Sequence, residues 1–204
     1  MVEHTPWKGL NYGSKKSDLA AQRLAVVGWS HSLDEGWEDR DDATLDCIRK
    51  LMDGDLRRES LFGPIRDCFG YNNHNDFWPE VMFFNFLPDC VGARDKKYAD
   101  GTREQRKRGG SRFLRLIEDY QPSKILIFQS SNRRSRYFPP MDGGRPEPIQ
   151  QFPGSKFTWG TYTVGDHKAL AFFLRHPERA SAEKLGQMRM AVKYVLDLPI
   201  VQSP

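Results

Sequence analysis

Four solid apolar runs punctuate an otherwise mixed chain. Leu24-Ala25-Val26-Val27, opened by Arg23 and closed by Gly28, has the length and turn signal of a buried strand. Val81 to Leu87 is a second such run, stopped by Pro88. Lys124-Ile125-Leu126-Ile127-Phe128 is a third, and Ala169 to Leu174 a fourth, ending at Arg175-His176-Pro177. Before the last of these, Lys156 to Val164 alternates through Phe157, Trp159, Tyr162 and Val164, which predicts a further strand with an irregularity at Gly160.

Between the runs the apolar spacing changes to that of helices. Asp42 opens one, with Leu45, Ile48, Leu51 and Met52 on a face and Gly54 as its stop. A second is expected from about Glu59 to Phe69, ended by Gly70. Thr102 and Gln105 have capping-box spacing before a stripe of Phe113, Leu114, Ile117 and Tyr120, although Gly109-Gly110 blurs where that helix starts. Ser181 caps a final helix carrying Leu185, Met188, Val192 and Val195. Residues 1–22 read as a polar lead-in arm docked by Trp7, Leu10 and Tyr12, and 23–204 as a single domain. Residues 138–154, with five prolines and three glycines, form a loop. The pattern predicts an α/β fold: a central, mainly parallel sheet of four or five strands in a three-layer α/β/α arrangement, covered on both faces.

Composition fits one well-cored domain: 204 residues, 38% hydrophobic and 28% charged. The formal net charge of +4 decides little, but its distribution is uneven. Asp34 to Asp46 holds seven acids against Arg40 alone, whereas Arg94 to Arg115 holds nine bases against three acids. Three cysteines without paired spacing give no disulfide framework. No Cys-x-x-Cys or histidine-rich run indicates a metal, and no cofactor is implied. With no signal-type segment and no apolar stretch of about 18 residues, the expected home is the cytoplasm.

In parallel sheets, ligands bind beyond the carboxyl ends of the strands. The residues just after each run are therefore the place to look for chemistry. These segments are Gly28-Trp29-Ser30-His31-Ser32, Asn85 with Pro88, Gln129-Ser130-Ser131-Asn132-Arg133-Arg134, and Arg175-His176-Pro177. Their order, and a terminal helix after them, resembles the uracil-DNA glycosylase superfamily over about residues 23–197. The likeness is greatest to a divergent bacterial branch whose first motif reads Gly-Glu-Ser-His-Tyr. Some members of this fold remove hypermodified cytosines, such as glucosylated hydroxymethylcytosine, in defence against phages.

The resemblance implies a DNA glycosylase. Base excision needs a flipped base in a pocket, a group that positions water and shields the oxocarbenium-like sugar, and a donor to the departing base. Asn85 matches the family's base-reading Asn, and His176 matches the His of its His-Pro motif. Ser30 stands where the familiar branch has an Asp and cannot serve as a carboxylate base, so the missing charge is expected from Asp34 or Glu35 of the acidic loop, or else His31 positions the water. Gly28, Trp29, Phe84 and Phe86 are candidate walls of the base pocket, though Trp29 is equally a core residue by its chemistry. Ser130, Ser131, Arg133, Arg134 and Arg175 are candidate phosphate contacts. Lys96, Lys97, Arg103, Arg106, Lys107 and Arg108 read first as a solvated run. DNA is the implied partner, with neither a membrane nor an obligate protein partner indicated. Two other readings stay open: a nucleic-acid binder that kept the fold without the chemistry, and an unrelated α/β phosphate-binding enzyme. The latter lacks a Walker loop or a Gly-x-Gly-x-x-Gly motif.

Overall fold

A computed structural model describes residues 2–31, 38–56, 61–92, 100–129, 132–142, 158–177 and 180–200. The elements in chain order are β1 (Trp7–Lys8), α1 (Asp18–Ala21), β2 (Leu24–Gly28), α2 (Ala43–Met52), α3 (Phe62–Cys68), α4 (His74–Phe77), β3 (Met82–Asn85), α5 (Arg103–Tyr120), β4 (Lys124–Gln129), α6 (Asn132–Ser135), β5 (Thr158–Val164), β6 (His167–Arg175) and α7 (Ala182–Asp197).

The sheet runs β1-β3-β2-β4-β6-β5. Its centre, β3-β2-β4-β6, is parallel throughout, while β1 and β5 pair antiparallel at the two edges. The expected sheet of four or five mainly parallel strands is thus corrected to a six-stranded mixed one. The reason at one edge is local. Gly165 and Asp166 are all that separates β5 from β6, and a two-residue link can only join antiparallel neighbours. Gly165 supplies the positive φ (57°) that the turn needs. At the other edge, β1 is only two residues long, pairing Trp7 with Phe83 and Lys8 with Met82.

Side chains alternate across the parallel strands into two cores. Leu24, Val26, Phe83, Leu126, Phe128 and Phe172 pack with Ile48 and Leu51 of α2, Ile65 of α3, Phe77 of α4, and Met188 and Val192 of α7. Ala25, Val27, Phe84, Ile125, Ile127 and Phe173 pack with Phe113, Leu116 and Ile117 of α5. Fully burying an aromatic or branched side chain contributes about 1.5–3 kcal/mol, so both faces contribute strongly to stability.

The helix signals act as their chemistry requires. Thr102 Oγ1 accepts from Gln105 N at 3.1 Å while Thr102 N donates to Gln105 Oε1 at 2.8 Å, closing the capping box of α5. Ser181 Oγ caps α7 by accepting from Lys184 N. The Gly109-Gly110 pair does not interrupt α5. A Cβ on Gly109 would lie 2.8 Å from Phe86 O, so the missing side chain lets α5 rest directly on the backbone after β3.

The arm is stitched into the body. Trp7 Nε1 donates to Trp78 O at 2.8 Å, and the buried Tyr12 hydroxyl reaches Arg23 O and Tyr120 O. Leu10, expected to dock, is instead 90% exposed: the backbone of Gly9 and Asn11 bonds to Val81 O and Pro79 O, leaving the side chain between them facing out. Buried Arg112 of α5 completes the stitching by donating to Asn85 O at 2.7 Å and to His4 O. No helix among the described residues is long and apolar enough to cross a membrane.

Candidate active site

The four parallel strands finish at Gly28, Asn85, Gln129 and Arg175, with Gly28 beside Asn85 and Gln129 beside Arg175 in register. Parallel neighbours end at one edge, so Gly28, Asn85, Gln129 and Arg175, from which the four polar segments lead, are delivered there together.

Asn85 is 2% exposed, and its Oδ1 has no hydrogen-bond partner among the described residues. A buried carbonyl oxygen without a donor costs on the order of 1–3 kcal/mol, so its position calls for an occupant or a role. Alternation places this side chain on the Phe83 face of the sheet. Gly28 makes room for it: a Cβ there would fall inside 3.0 Å of Asn85 Oδ1 and 3.4 Å from Phe83 Cζ. Two more buried polar atoms at the same edge lack partners among the described residues, Trp29 Nε1 and Gln129 Oε1. Three successive parallel strands thus each deliver an unsatisfied polar group to one rim.

The other candidates fall into place around this rim. Trp29 is 5% exposed, stacked on Phe86 at 5.2 Å and touched by the Arg134 guanidinium at 4.8 Å. It therefore serves the α5-side core and presents no open face for stacking. Phe84 and Phe86 are buried in that same core, packed on Phe113, with Phe86 also 4.1 Å from Phe138. They lie across the sheet from Asn85 and back the rim from behind, so these three aromatics and Asn85 do not converge on one cavity.

Ser30 is partly buried at the turn after β2. His31 follows it, with Nε2 2.9 Å from Thr44 Oγ1 on α2 and its ring edge-on to His4 at 5.2 Å. Burial, reinforced by His4 and Arg112 and opposed by Asp39, pushes the imidazole down to about 3. His31 is consequently a neutral ring near pH 7. His176 is half-buried and Pro177 buried directly after β6, while Arg175 is exposed.

Arg134 differs from a free phosphate anchor. It is 6% exposed, and its Nε donates to Asp100 Oδ1 at 3.0 Å. Its charge is already countered, and its plane lies on Trp29. Asp34, Ser130 and Ser131 lie outside the described residues, as does the side chain of Arg133. Of the basic run, Lys107, Arg108, Arg112 and Arg115 line a surface cavity of about 280 Å³ along α5 together with Glu3 and Glu104.

Sequence reasoning missed one group altogether. His4 Nε2 meets Asp39 Oδ1 at 2.7 Å and Cys90 Sγ at 3.9 Å, and Cys90 N donates to both Asp39 oxygens at 3.3 Å. Burial and the Asp39 carboxylate push the Cys90 thiol up. These residues are 35, 51 and 86 positions apart, so no spacing pattern announces them.

The fold and rim together define an α/β protein with a polar strand-end site. No protein-family model matches the chain, and no curated protein matches it.

Proposed function

We propose that this protein is a DNA glycosylase with the three-layer uracil-DNA-glycosylase architecture, removing a modified pyrimidine from DNA in the cytoplasm. Glucosylated hydroxymethylcytosine of phage DNA is the candidate substrate. The observation that carries the reading is Asn85 Oδ1, a buried acceptor without a donor at the carboxyl end of β3. The Watson–Crick edge of a flipped cytosine offers an N4 amine and that of uracil an N3–H, and either donor would satisfy it. The resemblance supports the same reading independently, since its four motifs belong to the four parallel strands.

In this scheme Asn85 reads the base edge and His176 donates to the negative charge developing on the departing base. His31, neutral and beside Ser30, holds the attacking water as an acceptor, in place of the carboxylate found in the familiar branch. Gly28 keeps the space that Asn85 occupies. Phe84, Phe86 and Trp29 form a rigid backing for the rim rather than its lining. Arg175 is an exposed cation at the end of β6 and in this scheme meets a phosphate.

The test is direct. The protein is incubated with single- and double-stranded DNA carrying uracil, hydroxymethylcytosine or glucosylated hydroxymethylcytosine, and abasic sites are scored by alkaline cleavage. Excision of at least one base is expected, with Asn85→Ala and His176→Ala each slowing it by about 10²-fold or more while DNA is still bound. DNA binding without excision on every substrate would leave a non-catalytic binder as the function.

A further inference from the structure

His4, Asp39 and Cys90 present their nitrogen, oxygen and sulfur atoms within 4.8 Å of one another. The arrangement looks at first like a Cys–His–Asp relay, but its geometry is different. In a relay the carboxylate bonds one imidazole nitrogen and the nucleophile the other. Here both Asp39 Oδ1 and Cys90 Sγ approach the same atom, His4 Nε2, while His4 Nδ1 is buried without a partner among the described residues. A single Nε2 carries at most one proton and donates to Asp39, while the Cys90 thiol holds a proton of its own. With those protons displaced, three lone-pair-bearing atoms of different elements lie close enough together to share one cation.

We propose that His4, Asp39 and Cys90 form a mononuclear Zn²⁺ site, completed by one solvent ligand. The thiolate selects against the hard cations calcium and magnesium, and an S/N/O set is within zinc's ordinary range. The distances are close to those required. Tetrahedral coordination at zinc's usual bond lengths separates the sulfur and nitrogen ligands by about 3.6 Å and the nitrogen and oxygen ligands by about 3.3 Å. The observed separations are 3.9 Å and 2.7 Å, so sulfur must close by about 0.3 Å and the carboxylate open by about 0.6 Å. Side-chain rotation of Asp39, which lies outside any helix or strand, covers the second.

On binding, zinc takes the lone pair of His4 Nε2, the imidazole proton shifts to Nδ1, and the Cys90 thiol releases its proton to solvent. Cys90 N–H already donates to the Asp39 carboxylate and orients it as a ligand. His4 is buried, whereas the Asp39 side chain is 26% exposed and Cys90 partly exposed, which leaves the fourth position open to water. His31 is not a ligand in this arrangement, because its Nε2 is taken by Thr44. The ion would join the N-terminal arm, the segment before α2 and the segment after β3. The inference does not rest on the glycosylase reading.

The experiment uses the full chain, stripped with a chelator and titrated with Zn²⁺ or Co²⁺. One equivalent is expected to bind. Cobalt should produce a thiolate charge-transfer band in the near ultraviolet and the visible absorption of a tetrahedral site. Cys90→Ser should abolish the charge-transfer band, and Asp39→Asn should weaken zinc affinity by at least ~100-fold. Cys47→Ser, which removes a thiol that is not one of the three ligands, should leave the band intact. Absence of the band in the unaltered protein, or its persistence in Cys90→Ser, overturns the proposal. Cys90 is partly exposed and serine keeps its N–H donation to Asp39, so this variant retains the fold and decides the matter by itself.

Discussion

Replacing Gly28 with alanine tests how the rim is built. The backbone at Gly28 has no positive φ, so alanine fits its conformation and would by itself favour a strand by about 0.5–1 kcal/mol over glycine. The obstacle is Asn85. The new Cβ falls inside 3.0 Å of Oδ1 of the buried Asn85, so the amide must turn from its present rotamer or push its neighbours aside. Driving it off its rotamer costs about 0.5–1.5 kcal/mol, and overpacking a core position about 1–3 kcal/mol. The net expectation is a loss of about 2 kcal/mol. In an Asn85→Ala background the obstructing atom is gone, and Phe83 Cζ at 3.4 Å is an ordinary contact. Gly28→Ala should there be neutral or slightly stabilising. A double-mutant cycle by urea denaturation should therefore give a coupling of about 2 kcal/mol between the two positions. Equal costs in the two backgrounds, within about 0.5 kcal/mol, would refute the packing argument. Under the proposed glycosylase reading the same cycle also reads function: Gly28→Ala should slow excision, yet slow it no further once Asn85 is absent.

Lys124 is completely buried, with Nζ donating to Gln22 Oε1, Leu196 O and Leu198 O. Burial pushes its amine down to about 8, from an ordinary 10.5. Between those values the unfolded chain holds a proton that the folded chain releases, so stability rises with pH, by at most about 1.4 kcal/mol per unit. Denaturation at pH 8 and pH 10 should show this rise in the unaltered protein relative to Lys124→Met; parallel curves would contradict it. Gly109→Ala should lose about 1–3 kcal/mol, because the Phe86 carbonyl that its Cβ meets at 2.8 Å is backbone; an unchanged midpoint would mean that α5 can lift at no cost. Asp100→Ala should cost about 2–4 kcal/mol by taking the Asp100 carboxylate from buried Arg134, measurable as a lowered Tm, and no change would show that the guanidinium's other contacts or solvent compensate.

Much of this architecture is legible in the sequence because burial on two faces leaves a plain mark. The runs ending at Gly28, Leu87, Phe128 and Leu174 contain almost no polar residue, and they became the parallel centre of the sheet. Thr102, Gln105 and Ser181 announce helix starts through local bonds that need no tertiary context. The edges were harder. β1 is a strand only because Phe83 and Met82 lie beside it, and nothing in Trp7-Lys8 encodes that. The Gly165-Asp166 hairpin carried a signal, a glycine between two strand-like segments, and it was the better guide to direction than the rule for parallel sheets. For the rim, the sequence identified Asn85 and Gly28 but not their mutual fit. It also offered Trp29, Phe84 and Phe86 as pocket walls because an aromatic's face cannot be assigned before its strand's register is known. The meeting of His4, Asp39 and Cys90 depends wholly on tertiary folding.

The pairing of β1 with β3 also fixes an order of events during synthesis. Trp7 pairs with Phe83, so the arm leaves the ribosome long before its partner strand exists. Until Met82 and Phe83 emerge, the arm has no edge to join, and His4, whose backbone amide donates to Pro88 O, has no seat. Closing a loop of that length carries an entropic cost that local helices such as α2 avoid. The N-terminal segment should therefore be among the last parts of the sheet to lock. Nascent chains arrested before β3 should leave it open to protease, while chains extended through α5 should protect it.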